Sequence, residues 1–266
     1  MVDYSKYKSF TVEKKEMIAT VTLNRPPTNA VNSDLHRELS TIWVDLDDDQ
    51  EANVIILTGA GRFFSVGGDV SWMQEIINQP LERMKIMQKE KRIIKNLIAL
   101  RKPIIAAING DVMGLGTSVA LNCDIIFAAD TARIADPHVK MGLVAGDGGC
   151  IAWPLQVSLC KAKEYLLTGN MITAPEAERI GLINKAVPKE KLMEEAWKFA
   201  KQLAEGAGYA MSWTKTCLNK IVENRIDNLF DAMISYEFNS ISLPDHQEAV
   251  NAFKEKRAPK FKGGAI

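Results

Sequence analysis

The sequence is poor in the residue types that mark zinc sites and disulfide frameworks. Its 266 residues include only four cysteines and three histidines. No two cysteines form a C-x-x-C pair, and no cysteine clusters with histidine, which argues against a structural zinc site or a disulfide scaffold. We therefore expect a chain without a bound metal that works in the reducing cytoplasm.

An excess of charge and a long apolar run are also missing. Lys plus Arg is 33 and Asp plus Glu is 33, so neither nucleic acid nor a membrane is expected as the main partner. No uninterrupted apolar run reaches the length of about 18 residues that a membrane span needs. The N-terminus shows no signal-peptide pattern. The 47% hydrophobic content nevertheless allows a sizeable core.

Short apolar runs alternate with helical patterns through the first two thirds of the chain. We predict strands at 17–23, 53–58, 103–108 and 124–129, and helices at 33–46, 84–100, 115–122 and 148–155. Runs that are apolar on both faces are typical of strands covered on both sides, so the predicted class is α/β with a largely parallel sheet.

After residue 187 the pattern becomes helical, with helices predicted at 191–205, 211–222, 228–241 and 245–256. Residues 1–190 are thus predicted to form a core that contains the active site. Residues 191–266 are predicted to form a helical region that buries its apolar faces, with a neighbouring subunit as one solution.

Two glycine-rich turns follow predicted buried strands. The first ends at Gly67, Gly68 and Asp69, and the second, which contains Gly114, opens into the predicted helix 115–122. Glycine lets a backbone N–H approach a ligand closely, and a helix N-terminus presents free N–H groups. One donor from each turn could hold the oxygen of a polarised carbonyl. Neither turn has the spacing of a dinucleotide or phosphate loop, and the alternative is that the glycines only form tight turns.

Six segments, in this order along nearly the whole chain, together resemble the enoyl-CoA hydratase/isomerase (crotonase) family. They are NRPPTNAVN, FFSVGGDV, KPIIAAINGDVMGLGTSVALNCDIIFAAD, GLVAGDGG, TGNMITAPEAERIGLINKAVP and AFKEKRAPKF. The resemblance implies a spiral of ββα turns and C-terminal helices that build a homotrimer or a dimer of trimers. It also implies a coenzyme A thioester as substrate, with coenzyme A entering only as part of that substrate and no separate cofactor.

The resemblance further implies particular roles. The substrate carbonyl would lie between the backbone N–H groups of Gly68 and Leu115, where an enolate would be stabilised. The positions that match coenzyme A contacts are Arg25, Val66, Gly67, Asp69, Gly114 and Lys256. In the family, the basic position matched by Lys256 reaches the coenzyme's phosphates from a neighbouring subunit; the alternative is a solvated lysine.

The sequence departs from the family at its proton-transferring residues. Ordinary hydratases of the family carry two glutamates that handle water, and their positions here hold Ser118 and His138. The segment GLVAGDGG carries Asp147 where a small apolar residue is common. A histidine and a carboxylate that meet in a pocket form a reasonable acid/base pair at neutral pH. The alternatives are a structural histidine and an aspartate that caps a helix.

Residues 137–154 are also similar to the branch of the family that cleaves β-diketones, typified by 6-oxocamphor hydrolase. That branch uses a histidine and an aspartate at this spacing on substrates without coenzyme A, and Glu237 matches a further carboxylate there. The other two histidines, His36 and His246, lie in polar helical stretches and are expected at the surface. The pocket wall is expected to include parts of 72–87 and the segment near Trp153.

Three hypotheses therefore follow. The first is an acyl-CoA hydratase or isomerase in which Asp147 and His138 move protons. The second is a hydrolase that makes a retro-Claisen cut in a β-diketone. The third is a non-catalytic member of the family that only binds acyl-CoA.

Overall fold

The computed structural model describes residues 2–262, so the last four residues of the predicted helical region lie outside it. Its main sheet has six strands in the order β1-β2-β3-β4-β6-β9. β1 runs antiparallel to β2, and the other neighbouring pairs are parallel. These strands are β1 (Phe10–Lys15), β2 (Ile18–Leu23), β3 (Val54–Gly59), β4 (Ile104–Ile108), β6 (Ile125–Ala129) and β9 (Lys185–Val187).

A smaller sheet carries the segments next to the predicted site. It has the order β5-β7-β8, with β5 (Val112–Met113) parallel to β7 (Arg133–Ala135) and β7 antiparallel to β8 (Ile172–Thr173). All residues of β3 and β4 are buried, as expected for strands covered on both faces. The predicted α/β class is therefore confirmed, and the four predicted strands agree with β2, β3, β4 and β6 to within one residue at either end.

Eleven α-helices complete the described part of the chain. They are α1 (Ser33–Leu39), α2 (Ile42–Asp48), α3 (Val70–Asn78), α4 (Pro80–Ala99), α5 (Leu115–Leu121), α6 (Gly149–Gln156), α7 (Leu159–Thr168), α8 (Ala174–Arg179), α9 (Leu192–Ala204), α10 (Gly208–Ser240) and α11 (Pro244–Lys254). A 3-10 helix, His138–Met141, precedes α6.

The helix predicted over 33–46 is in fact two helices. Ser40 Oγ donates to the Arg37 carbonyl at 2.7 Å, and Thr41 Oγ1 donates to the Glu38 carbonyl at 3.2 Å. Such side-chain hydrogen bonds to the preceding turn compete with helix continuation. The first helix is capped by Asn32, whose side chain accepts from the Leu35 N–H at 3.0 Å.

The two helices predicted over 211–222 and 228–241 are, conversely, one helix of 33 residues, α10. The intervening polar stretch contains neither glycine nor proline, so nothing in it interrupts the helix. Asp227, in that stretch, forms an ion pair with Lys95 of α4 at 2.7 Å. The prediction of two separate helices was wrong because the polar stretch between them was interpreted as an interruption, although it is an exposed turn of one continuous helix.

The C-terminal helices fold back over the rest of the same chain. α10 packs against α4, and α11 packs against α3 and the 3-10 helix. α10 thereby buries Ile226, Phe230, Met233 and Ile234. Its opposite side leaves large apolar side chains exposed, namely Tyr209, Trp213, Leu218, Ile221, Leu229 and Tyr236. No helix among residues 2–262 is long and apolar enough to cross a membrane.

The two glycine turns cross each other next to the sheet. Gly110, which follows β4, lies so close to the first turn that a Cβ built on it would be 1.9 Å from the Arg62 carbonyl oxygen. Phe64 N–H donates to the Asp111 carbonyl at 3.2 Å at the same crossing. The two turns can therefore lie this close together only because residue 110 is a glycine.

We expect Gly110→Ala to destabilise the protein by about 3 kcal/mol or more, because backbone atoms must move to accommodate a methyl group in a packed site. Gly208→Ala is the matched control. A Cβ there meets no atom within 4 Å, and Gly208 is the first residue of α10, so alanine should leave the stability unchanged or raise it slightly. Urea unfolding of both variants measures the difference; equal stabilities would contradict the proposed crossing.

Candidate active site

One large cavity of about 580 Å³ lies where the glycine turns, the 3-10 helix, α3, α10 and α11 meet. Its wall includes residues from both predicted regions, since Glu237, Phe238 and Ile241 belong to α10, and His246 and Phe253 lie on α11. The site is therefore not confined to residues 1–190. Trp72, Met73, Ile76 and Ile86 line the cavity as expected, whereas Trp153 is fully buried and packs against Tyr165.

Both glycine turns reach this cavity. Gly114 has φ +55°, which favours glycine, and a Cβ on it would lie 3.5 Å from Gly67 Cα and 3.7 Å from His138 Cε1. Gly67, Gly68, Gly114 and Leu115 all line the cavity. Within residues 2–262, the N–H groups of Gly68 and Leu115 donate to no protein acceptor, so both remain available to a ligand.

His138 lies between two carboxylates. Its Nδ1 is hydrogen-bonded to Asp136 Oδ1, and its Nε2 lies 3.3 Å from Asp147 Oδ2. Glu237 Oε1 is 4.0 Å from the same Nε2, and Ser118 Oγ donates to Asp147 Oδ1 at 2.7 Å. The predicted acid/base pair, His138 and Asp147, thus lies at the centre of a larger cluster of polar side chains.

The carboxylates decide the charge of His138. Burial alone would lower its pKa, but the negative charges of Asp136 and Asp147 outweigh burial and raise the pKa well above its usual value. Burial would raise the pKa of Asp147, yet His138, Ser118 and the Gly149 N–H together lower it. At neutral pH the pair is therefore an imidazolium beside a carboxylate.

The pKa of Glu237 is raised, in contrast to that of Asp147. Burial raises its pKa, His138 lowers it, and the negative charge of Asp147 raises it again, so that the net pKa lies well above the usual glutamate value. Its Oε2 is buried and has no hydrogen-bond partner among the described residues. Glu237 thus holds its proton more tightly than an ordinary glutamate, close to a charged histidine.

Asp136, His138 and Asp147 are also near enough to one another to suggest metal ligands. However, both ring nitrogens of His138 already face a carboxylate, Nδ1 that of Asp136 and Nε2 that of Asp147. An imidazolium that donates from both nitrogens has no lone pair left to bind a metal ion. The arrangement therefore suits proton transfer better than chelation.

The residues that the resemblance matched to coenzyme A are only partly at the cavity. Val66, Gly67, Asp69 and Gly114 line it. Arg25 is not part of the described lining; its guanidinium donates to the Ala30 carbonyl at 2.7 Å and pairs with Asp69 at 2.9 Å. Lys256 is exposed beyond the end of α11.

Sequence reasoning missed several polar residues of the cavity. His36 and His246 were expected at the surface, but they are 2% and 0% exposed and both line the cavity, as does the buried Glu90. Asp136 was also missed. Only Asp136, two residues before His138, had a visible signal, because its spacing allows contact with the imidazole. The other three are brought in by helix packing.

Comparisons with known proteins identify the family of this chain. The model of the family described as "Enoyl-CoA hydratase/isomerase" matches residues 13–264. A short-chain-enoyl-CoA hydratase of Clostridium acetobutylicum is 36% identical over 92% of this chain and 94% of its own length. The chain therefore belongs to the enoyl-CoA hydratase/isomerase family of enzymes, and the recognition made from sequence motifs is confirmed.

Solved structures refine the comparison. An enoyl-CoA hydratase/isomerase from Mycobacterium paratuberculosis superposes with a TM-score of 0.88 at 38% identity, covering 91% of this chain and 97% of the other. A β-diketone hydrolase from the cyanobacterium Anabaena sp. PCC 7120, bound to (S)-3-oxocyclohexyl acetic acid, superposes with a TM-score of 0.84 at 26% identity, covering 90% and 96%. The crotonase-like fold predicted from the sequence is confirmed.

We expect Asp136→Asn to lower the pKa of His138, because it removes one of the two negative charges that favour the imidazolium. NMR titration of the histidine ring protons measures this pKa. Asp130→Asn is the control, since Asp130 is exposed on the turn after β6. An unchanged His138 pKa in Asp136→Asn would show that the carboxylate of Asp136 does not raise that pKa.

We expect Glu237→Gln to stabilise the protein at neutral pH. The folded pKa of Glu237 is raised, so the folded state retains a proton that the unfolded state releases above about pH 4.5, and stability falls as pH rises from there. Glutamine cannot ionise, so this loss disappears. Thermal melts should show a higher Tm for the variant at pH 7 but nearly equal values at pH 4; a lower Tm at pH 7 would contradict the assignment.

Proposed function

We propose that the protein is a hydrolase that cleaves a carbon–carbon bond of a β-diketone. Water adds to one carbonyl carbon, and the bond from that carbon to the carbon between the two carbonyls breaks. The electron pair of that bond forms an enolate on the other half, which is then protonated on carbon. The products are a carboxylic acid and a ketone, and water is the only co-reactant.

The observation that carries the proposal is the ionised pair of His138 and Asp147 at a cavity lined by two free backbone N–H groups. Asp147, kept ionised by its neighbours, can accept a proton from water. The imidazolium of His138 can stabilise negative charge that develops on the attacked carbonyl or on the hydroxide. Proton transfer of this kind contributes about 10²–10⁴-fold to a rate.

The N–H groups of Gly68 and Leu115 would hold the oxygen on which charge accumulates. Donors aimed at a developing oxyanion stabilise the transition state more than the ground state. In other enzymes, removing one such donor costs about 3 kcal/mol of barrier. These two N–H groups could stabilise the enolate of a diketone or that of a thioester. They therefore support enolate chemistry but do not distinguish the two substrate classes.

The two positions where the resemblance expects glutamates argue against simple hydration. Ser118 is fully buried, and its hydroxyl is used by Asp147 at 2.7 Å. His138 carries a positive charge rather than a negative one. A water held between two carboxylates, as the family's hydratases use it, has no counterpart at these two positions.

The C-terminal helices form part of the cavity wall. The chain's own α10 and α11 contribute to its wall through Glu237, Ile241, His246 and Phe253. Arg25, a cation matched to coenzyme A, is already neutralised by Asp69 at 2.9 Å. The similarity to a β-diketone hydrolase whose structure holds a cyclic keto acid supports hydrolysis of a β-diketone.

The second candidate function is acyl-CoA hydration or isomerisation. The observation that favours it is the 36% identity to a short-chain-enoyl-CoA hydratase over nearly the whole of both chains. In this case Asp147 and His138 would move protons next to the thioester enolate, and the exposed Lys256 would be free to meet the phosphates of coenzyme A.

The exposed apolar side of α10 supports assembly into a trimer or a pair of trimers. Tyr209 and Trp213 are 82% and 67% exposed, and aromatic residues are enriched at the cores of protein interfaces. The proposed reaction needs no reactive thiol, and the four cysteines are free, which suits a reducing cytoplasm.

The test is a panel of cyclic β-diketones and enoyl-CoA thioesters, with products followed by mass spectrometry. We expect ring opening with addition of one water, and we expect Asp147→Asn to lower kcat by about 10²–10⁴-fold because the base is lost. Asp130→Asn is the matched control and should retain full activity.

Turnover of enoyl-CoA thioesters without any turnover of diketones would overturn the proposal in favour of the second candidate. Binding of acyl-CoA with no turnover of either class would indicate a non-catalytic member of the family. Full diketone hydrolysis by Asp147→Asn would exclude the assigned base while leaving the substrate class intact.

A further inference from the structure

The histidine that α11 contributes to the cavity wall, His246, has one ring nitrogen without a partner. It lies in the first turn of α11, is fully buried and lines the cavity. Its Nδ1 is hydrogen-bonded to the Met141 carbonyl oxygen at 2.7 Å, and its Nε2 is buried with no hydrogen-bond partner among the described residues. Leaving a buried polar atom unpaired is costly, so this nitrogen marks a place where a ligand can supply the missing hydrogen bond.

The surroundings of His246 decide which nitrogen carries the proton. A carbonyl oxygen only accepts hydrogen bonds, so Nδ1 donates its N–H to Met141. Burial and the positive charge of His138 lower the pKa of His246 by more than the hydrogen bond to Met141 raises it. The ring is therefore neutral at neutral pH, and Nε2 is an acceptor with a free lone pair.

A glycine permits the close approach of His246 to the 3-10 helix that carries His138. Gly142 directly follows that helix and has φ +65°. A Cβ on it would lie 2.7 Å from His246 N and 2.8 Å from the Asp245 carbonyl carbon. Any side chain at residue 142 would push the first turn of α11 away, so glycine there lets α11 place His246 beside the proposed catalytic group.

The cavity wall next to Met141 is largely apolar. Ile76, Leu143 and Ile241 form a small buried cluster against which Met141 packs, and all four residues line the cavity. An apolar wall of this kind suits the hydrocarbon part of a substrate. The acceptor nitrogen of His246 therefore faces the part of the substrate that does not react.

The groups assigned to the reacting carbonyls are, in contrast, donors. They are the backbone N–H groups of Gly68 and Leu115 and the imidazolium of His138. A β-diketone carries two carbonyl oxygens, which only accept hydrogen bonds. An unsubstituted diketone would therefore leave His246 Nε2 unpaired, whereas a substrate with an additional donor group would satisfy it.

We propose that His246 is a specificity-determining residue, which selects a β-diketone that carries a hydroxyl or N–H group on its hydrocarbon part. The proposal rests on the proposed function, because it concerns the substrate class of the same site. The donor group of the substrate binds Nε2 while the carbonyl oxygens face the donors at the other side of the cavity. A site with a buried polar group discriminates strongly against a substrate that lacks the matching group, because the site is then left unpaired.

The experiment compares cyclic diketones that differ in one hydroxyl group. 2-Methyl-2-propylcyclohexane-1,3-dione and 2-butyl-2-methylcyclohexane-1,3-dione are assayed beside the two compounds in which a hydroxyl replaces the terminal methyl of the longer side chain. We expect the wild-type protein to prefer a hydroxylated compound over its alkyl counterpart by about 10²-fold or more in kcat/KM.

The variant His246→Asn separates the acceptor from the structural contact. The asparagine amide can still donate to the Met141 carbonyl, but it is too short to replace Nε2. The hydroxylated compound should lose about 10²-fold in kcat/KM and the alkyl compound far less, so that the preference disappears. Glu255→Gln is the matched control and should retain the preference, since Glu255 is exposed at the end of the same helix.

Nitrogen NMR of the wild-type imidazole rings is a second measurement, which decides if His246→Asn proves unstable. The signal of His246 Nε2 should be that of an unprotonated nitrogen at neutral pH. It should shift when the keto-acid product with the hydroxyl group binds and stay in place with the alkyl product. A protonated Nε2 would contradict the inference.

Equal kcat/KM for hydroxylated and alkyl compounds at both chain lengths would overturn the inference while the proposed function stands. A His246→Asn variant that slows both compounds alike would overturn it too, because a structural defect does not distinguish them. A wild-type protein that opens none of the four diketones would overturn the proposed function, and the inference with it.

Discussion

The site depends on the ion pair between a buried imidazolium and the carboxylates on either side of it. Asp136 and Asp147 keep His138 charged in a place where burial alone would neutralise it. That charge in turn keeps Asp147 ionised despite its burial. Each of the two charges therefore favours the other, so the chemistry depends on the relative positions of β7, the 3-10 helix and the start of α6.

The surrounding fold supplies what this ion pair needs. The small sheet and the 3-10 helix hold Asp136 and His138, and α5 brings Ser118 to Asp147 while presenting the Leu115 N–H to the cavity. α10 and α11 then form part of the cavity wall, and burial there raises the pKa of Glu237. Low exposure strengthens electrostatic interactions inside such a cavity, so the C-terminal helices are part of the site.

Much of the fold was predictable because it depends on local patterns. Buried strands such as β3 and β4 are continuous apolar runs, and helix α9 has a clear amphipathic pattern. The errors lie where local and tertiary effects compete. Ser40 and Thr41 interrupt a helix through side-chain hydrogen bonds, while the polar stretch around Asp227 continues one because α4 offers it partners.

By itself the sequence determined the family, the α/β class, the two glycine turns and the replacement of two glutamates by Ser118 and His138, since these follow from residue identity and order along the chain. Only the tertiary structure decided that His36, Glu90 and His246 face the cavity and that Glu237 reaches His138. The physical reason is that a polar residue on a helix looks solvated in sequence. Whether it meets water or another polar group depends on helices from distant parts of the chain.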